Sequence, residues 1–279
     1  MSAQGLAPPD APVVVAGIDF TSAPTRRKPI TVAHGRSSGG VVRLDRIDTH
    51  ADFAGFAQWL AGPGPWVGAF DFPFGLPREL VLALGWPTEW PALIEHYAGL
   101  TRAQIRETFA AFCAGRPAGG KFAHRATDGP AGSSPSMKWV NPPVAYMLHA
   151  GVPLLVEAGV HLPGLMPGDP QRVALEGYPG MVARELLGSR SYKSDDRARQ
   201  TPGRLIARKD LVEALERGIP RWGLRLKLSH AQRDGLVADA SGDRLDAVLC
   251  LVLAAWGAQR PGFGLPADLD PLEGWTVGA

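Results

Sequence analysis

The chain has 279 residues, of which 45% are hydrophobic and 20% charged, and its formal net charge at pH 7 is +2. This composition excludes a disordered or collagen-like chain and allows one elaborated domain with a sizeable core. The near-neutral charge also excludes a global basic field, so any phosphate-binding surface has to be local.

Cysteine usage and the apolar segments predict the compartment. Cys113 and Cys250 lie in apolar, helix-like segments, which favours buried free thiols and a reducing cytoplasm. The first residues have neither a cationic nor an apolar region, so no secretion signal is expected. The longest apolar stretch, 247–257, is too short for a bilayer, and we therefore expect no membrane contact.

The first third of the chain predicts strands. Residues 1–12 are rich in Pro and Ala and predict a disordered tail. An apolar run at 13–20 predicts a buried strand, and the segments ITVAHG and VVRLDRI predict two more, giving an antiparallel meander. Apolar residues at helical spacing predict a helix over 50–61, and 66–73 predicts a fourth strand ended by Pro73.

The remaining chain predicts mostly helices. They are expected over 77–84, 88–100, 101–113, 142–159, 181–187, 205–217 and 243–256, with one strand over 171–179. A stretch rich in Gly, Ser and Pro over 115–139 has the length of a functional or disordered loop. We therefore expect a single domain over 13–260, a mostly helical insertion at about 77–168 and a C-terminal extension over 261–279.

Acidic residues end or interrupt three of the predicted strands. Asp19, Asp71 and Glu176 stand in otherwise uncharged segments, where an ionised carboxylate is costly unless it is paired or bound to metal. Asp243 and Asp246, three residues apart at the start of a buried helix, share one helix face. Helix capping alone is the alternative explanation for this pair. Oxygen ligands favour hard cations, so the pattern predicts a Mg²⁺ or Mn²⁺ site.

The ordered segments GIDF, FDFPFGLP, EGYP and DRLDA resemble an uncharacterised family of predicted nucleases of ribonuclease H fold. The DRLDA segment also resembles the last-helix motif of Holliday-junction resolvases. The resemblance covers roughly residues 13–256. It implies an α/β fold whose mixed sheet combines an antiparallel three-strand meander with parallel strands, flanked by helices. It implies metal ligation by Asp19, Asp71, Glu176 and one or both of Asp243 and Asp246. The insertion before Glu176 is much larger than in a minimal ribonuclease H.

The activity expected from this resemblance is metal-dependent hydrolysis of a nucleic-acid phosphodiester. Two ions would be held, with Asp19 bridging them, Asp71 on one ion and Asp243 or Asp246 on the other. Glu176 would bind metal or orient the attacking water. The expected substrate-binding residues are the cationic side chains of the long loop and of the SYKSDD segment: Lys121, His124, Arg125, Lys138 and Lys193. Arg125 has an alternative role, that of fixing the loop through a salt bridge to Asp128.

Two other functions are compatible with the same residues. GIDFTS is similar to the phosphate loop of actin-like phosphotransferases, although that fold needs two such domains and a second glycine-rich turn. A catalytically inactive ribonuclease H-like module that binds nucleic acid or a protein is the non-enzymatic alternative. DNA, RNA and small phosphodiesters all fit the metal chemistry, and the sequence does not indicate an oligomeric state.

Overall fold

A computed structural model describes residues 11–279. Residues 1–10 of the predicted tail lie outside this range. The strands are β1 (Val13–Asp19), β2 (Ile30–Ser38), β3 (Val41–His50), β4 (Trp66–Phe70), β5 (Val160–His161), β6 (Asp169–Glu176) and β7 (Arg225–Lys227). The helices are α1 (Phe53–Leu60), α2 (Arg78–Ala83), α3 (Trp90–Ala98), α4 (Arg102–Ala114), α5 (Asp128–Ala131), α6 (Val144–Glu157), α7 (Pro179–Leu187), α8 (Pro202–Arg217), α9 (His230–Ala238) and α10 (Asp243–Ala258).

The strands form one mixed sheet in the order β5-β6-β4-β1-β2-β3-β7. Strands β1, β2 and β3 form the predicted antiparallel meander. Strand β4 runs parallel to β1, and β6 runs parallel to β4. The predicted α/β class and mixed sheet are confirmed. Because β1, β4 and β6 are parallel, their carboxyl ends meet at one edge of the sheet, which is where ligand crevices form in such folds.

Strand β1 lies in the middle of the sheet, and its side chains are apolar on both faces. Val15 belongs to a core formed with α7, α8 and α10. Ala16 and Ile18 point to a second core formed with α1, α3, α4 and α6. A strand covered on both faces requires a continuous apolar run, which is what the sequence VVVAGI supplies. The insertion between β4 and β6 is therefore not an appendage, since its helices cover one face of the sheet.

Helix α10 lies directly against the backbone of β1. A Cβ atom added at Gly17 would be 2.0 Å from the carbonyl oxygen of Ala247 and 2.1 Å from the amide nitrogen of Leu251. Only glycine permits this approach. The helix is buried along almost its whole length, as its apolar composition predicted. Its first turn thus lies beside the end of β1.

The last residues of the chain return to the same edge of the sheet. Thr276 pairs with Glu176 in a parallel bridge, and the Val277 amide donates to the Glu176 carbonyl at 2.8 Å. Leu272 and Val277 are fully buried. The predicted C-terminal extension is therefore packed into the domain. Within residues 11–279 no helix combines the length and the apolarity needed to cross a membrane.

Candidate metal centre

Three of the five predicted carboxylates converge at this edge. Asp19 ends β1, Asp71 directly follows β4, and Asp246 lies in the first turn of α10. Each offers one carboxylate oxygen, and the three oxygens lie within 4.8 Å of one another. The Asp71 amide donates to the Ile18 carbonyl at 2.9 Å, which continues the pairing of β1 with β4 past the last strand residue. We call Asp19, Asp71 and Asp246 the Asp triad.

The environment of the Asp triad disfavours the ionised form of its carboxyl groups. Burial raises the pKa of Asp19 well above its ordinary value, and the charges of Asp246, Asp243 and Asp71 raise it further. Burial, followed by the charge of Asp246, raises the pKa of Asp71 to about 7. Carboxylates placed in this way ionise together only when a cation compensates them.

Among residues 11–279, Lys193 is the cation that contacts the Asp triad. The ammonium of Lys193 donates to one carboxylate oxygen of Asp246, and the hydroxyl of Tyr192 donates to the other. Burial lowers the pKa of Lys193, but the charges of Asp246, Asp19 and Asp71 outweigh it and raise the pKa above its usual value. A single ammonium against three ionised carboxylates leaves two negative charges. This charge and the all-oxygen donor set fit a hard divalent cation.

Asp243 is close to the Asp triad but is engaged elsewhere. Its Oδ1 accepts a hydrogen bond from Lys28 Nζ at 2.6 Å, and the same ammonium contacts Asp195 at 2.8 Å. Burial raises the pKa of Asp243, while the bond from Lys28 lowers it. Of the two acidic residues that open α10, the structure therefore places Asp246 in the cluster and Asp243 in an ion pair.

Glu176 is also engaged in other bonds. Two guanidinium nitrogens of Arg125 donate to its two oxygens, both at 2.7 Å. The Thr276 hydroxyl donates at 2.7 Å and the Phe74 amide at 2.8 Å. Glu176 therefore lies next to Asp71 with its carboxylate oxygens already bonded, and it is not one of the three clustered carboxylates.

Arg125 fixes the long loop in place. Its side chain bonds Asp128 Oδ1 from two nitrogens, at 3.0 and 3.1 Å, in addition to Glu176. The residue is 4% exposed. The alternative role considered from the sequence, the salt bridge to Asp128, is therefore present in the structure. The expected contact of Arg125 with substrate stays a prediction.

The other three residues of the long loop that were expected to bind substrate do not contact the Asp triad. Lys121 and His124 are exposed and Lys138 is half-buried. Over residues 11–279 none of the three forms an ion pair or a side-chain hydrogen bond with Asp19, Asp71 or Asp246. Their expected contact with substrate stays a prediction. The neighbouring rings of Phe122 and Trp139 pack against each other, with centroids 5.6 Å apart.

The chain matches no family model, no curated protein and no solved structure. Its function has to be inferred from the geometry of these side chains.

Two residues at this site carry no signal in the sequence pattern. Tyr192 is a buried partner of Asp246, yet in SYKSDD it is a lone aromatic residue without a spacing signal. Thr276 reaches Glu176 from the C-terminal segment, which carries no strand pattern. The available signal for Tyr192 is its position next to Lys193, a predicted substrate-binding residue.

Proposed function

We propose that this protein is a divalent-metal-dependent phosphodiester hydrolase, a nuclease, whose Asp triad holds Mg²⁺ or Mn²⁺. The observation that carries the proposal is the convergence of three carboxylate oxygens within 4.8 Å. Their position supports it, because they lie at the edge of the sheet where parallel strands end. Burial raises the pKa of Asp19 and of Asp71, so a bound cation would relieve an unfavourable charge state.

The order of the elements supports a ribonuclease H-like identity as part of the same proposal. The meander β1-β2-β3 is followed by the parallel strands β4 and β6. Carboxylates stand at the ends of β1 and β4 and in the first turn of the last long helix, as the resemblance to the predicted nuclease family implies. Fold alone does not establish activity, so the nuclease assignment depends on the side chains of the site.

The residues have separate roles in this proposal. Asp19, Asp71 and Asp246 would hold the cation, and the Tyr192 hydroxyl orients Asp246 through its hydrogen bond. A divalent cation at this position supplies Lewis-acid stabilisation of phosphoryl oxygens and lowers the pKa of water. The Lys193 side chain is 43% exposed, and its ammonium would neutralise a substrate phosphate.

A second cation, as a two-ion mechanism requires, would need further ligands. Asp243 supplies one only if it leaves Lys28, and Glu176 supplies one only if it leaves Arg125. Lys28 is the more exposed of these two cations and its contact is the easier to exchange. Asp243 is therefore the second-ion ligand that the geometry favours.

The decisive experiment combines metal binding with cleavage. Labelled single-stranded, duplex, hybrid and branched nucleic acids are incubated with Mg²⁺, Mn²⁺ or EDTA, and Mn²⁺ binding is measured by calorimetry. Asp19→Asn, Asp71→Asn and Asp246→Asn each keep the side-chain shape and should abolish both signals. Glu213→Gln, in an exposed ion pair with Arg217 on α8, is the matched control and should behave as the native protein. A folded native protein that binds no Mn²⁺ refutes the proposal.

A second candidate is a module that binds its partner without metal. The observation that favours it is the Lys193 ammonium on Asp246, because this contact already supplies counter-charge to the cluster. In that case nucleic-acid binding would be equal in EDTA and in Mn²⁺, and no cleavage would be detected.

A further inference from the structure

We propose that a groove beside Asp71 binds unpaired nucleotides, so that the substrate is a single strand of nucleic acid rather than a duplex. The groove lies between the start of α6 and α7, with residues 188–193 forming its rim. We call it the α6–α7 groove. The inference rests on the proposed function, since it names the substrate class of the same site.

The size of the groove limits what can enter it. Its volume is about 520 Å³, which lies within the roughly 300–1,000 Å³ of sites that enclose small organic ligands. One or two nucleotides fit such a space. A duplex, whose major groove alone is about 12 Å wide, does not. Asp71 lines the groove, so an occupant extends to the Asp triad.

One wall of the groove is apolar. Val144 and Met147 of α6 and Ala183 of α7 line it. Val144 and Met147 are half-buried and therefore partly accessible. Unpaired bases bind to surfaces of this kind, because their faces are apolar and are left without stacking partners in a single strand.

The rim of the groove is cationic. Arg190 and Lys193 line it together with Ser189 and Ser191, and Asp71 is the one carboxylate among its lining residues. Arg190 pairs with Asp210 across exposed side chains, 52% and 41% accessible, and such a pair is weak enough for a phosphate to compete with it. The apolar wall therefore suits the bases of a single strand, and the cationic rim suits its phosphate backbone.

Arg184 shapes the groove and does not offer a free charge. Its guanidinium donates to the carbonyls of Ala131 and Gly132 at 2.7 and 2.8 Å and lies 5.5 Å from the centre of the Tyr178 ring. These contacts join α7 to the long loop after α4. The phosphate-binding cations are therefore Arg190 and Lys193.

Lys193 connects the groove with the candidate metal centre. Its ammonium contacts Asp246, and its side chain also lines the rim. A strand whose bases occupy the apolar wall thus places a backbone phosphate next to Lys193. That phosphate is adjacent to the Asp triad, where hydrolysis is proposed.

The test measures binding without cleavage. Full-length protein carrying Asp19→Asn is titrated in EDTA into fluorescent oligonucleotides, as single-stranded DNA, as single-stranded RNA and as the matching duplexes. We expect single strands to bind at least tenfold more tightly than duplexes, and the two single-stranded arms show whether the sugar matters. Met147→Glu, which puts a negative charge on the apolar wall, should weaken single-strand binding about tenfold or more. Arg190→Gln should weaken it several-fold.

Matched controls lie outside the groove. Val156→Glu is on the same helix, at a residue 37% exposed, and Arg217→Gln breaks an exposed ion pair with Glu213. Both should bind as the parent does. Ser191→Glu, on the exposed rim, replaces Met147→Glu if that variant fails to fold by circular dichroism.

The inference is overturned if no oligonucleotide binds, if duplexes bind as tightly as single strands, or if Met147→Glu leaves single-strand binding unchanged. If Met147→Glu does not fold, unchanged binding in Ser191→Glu overturns it instead. The two proposals fail separately. If single strands bind in the groove and no Mn²⁺ binds the native protein, the groove stands and the metal function falls. If native protein cleaves duplex and Met147→Glu does so equally, the metal function stands and the groove falls.

Discussion

Replacing Arg125 by methionine should destabilise the fold strongly. Arg125 is 4% exposed and bonds both oxygens of Glu176 and one oxygen of Asp128. Methionine fills a similar volume but leaves two buried carboxylates without their cation. Breaking a buried ion pair from one side typically costs about 3–5 kcal/mol. For a domain of this size that loss lowers the melting temperature by roughly 6–20 °C.

The assay is thermal and urea unfolding followed by circular dichroism at pH 7. Arg36→Met is the control, because Arg36 makes a two-bond contact with Asp45 at 2.9 and 3.0 Å but its side chain is 56% exposed. Exposed pairs contribute little. Adding Glu176→Gln to Arg125→Met should recover part of the loss, since glutamine keeps acceptors without the charge. If Arg125→Met is no more costly than Arg36→Met, the structural role given to Arg125 is refuted.

Three further predictions concern the core, the Asp triad and a thiol. Gly17→Ala puts a Cβ atom 2.0 Å from a backbone oxygen of α10, and urea unfolding should show a loss of about 1–3 kcal/mol or more. Gly203→Ala should not destabilise, because its added Cβ atom would lie 3.8 Å from the Thr201 hydroxyl, an ordinary van der Waals contact. Burial, followed by the charge of Asp246, raises the pKa of Asp71 to about 7 from 3.8. This carboxyl therefore binds its proton more tightly when folded, so its contribution to stability is fully present below pH 3.8 and is lost as pH rises from there to about 7. In EDTA, native protein should lose unfolding free energy over that pH range relative to Asp71→Asn, and equal slopes would contradict this. Burial raises the pKa of the Cys250 thiol, so a disulfide reagent at pH 7.5 should label Cys250 only after unfolding in guanidinium; rapid labelling of folded protein would argue against its burial.

Strong local patterns accounted for the main elements of the fold. The bounds of β1, α1, α4 and α10 were predicted within a few residues. Burial and helical periodicity both show in the spacing of apolar residues along the local sequence. Four elements were missed. β5, β7 and α5 have two, three and four residues, which is too short for a periodic pattern. Helix α9 has nine residues and a capping box formed by Ser229 and Gln232, but it is nearly neutral in mean hydropathy and has one buried apolar residue.

The long loop shows where such patterns stop being informative. Residues 115–139 have the composition of a functional or disordered loop, yet Thr127 and Ser136 are fully buried and Asp128 is 1% exposed. The loop is ordered because Arg125 binds Glu176, 51 positions away. A bond to a residue so distant leaves no trace in local composition.

The residue pattern alone indicates which carboxylates need a counter-charge. Asp19 and Asp71 stand at the ends of apolar strands, and the fold then buries any charge placed there. The cation that supplies this counter-charge is known only from the folded chain. Lys28 neutralises Asp243 from 215 positions away, Arg125 neutralises Glu176, and Asp19, Asp71 and Asp246 share the single ammonium of Lys193. The choice of counter-ion depends on distances between side chains remote in the chain, since electrostatic energies fall with separation in space and not in sequence.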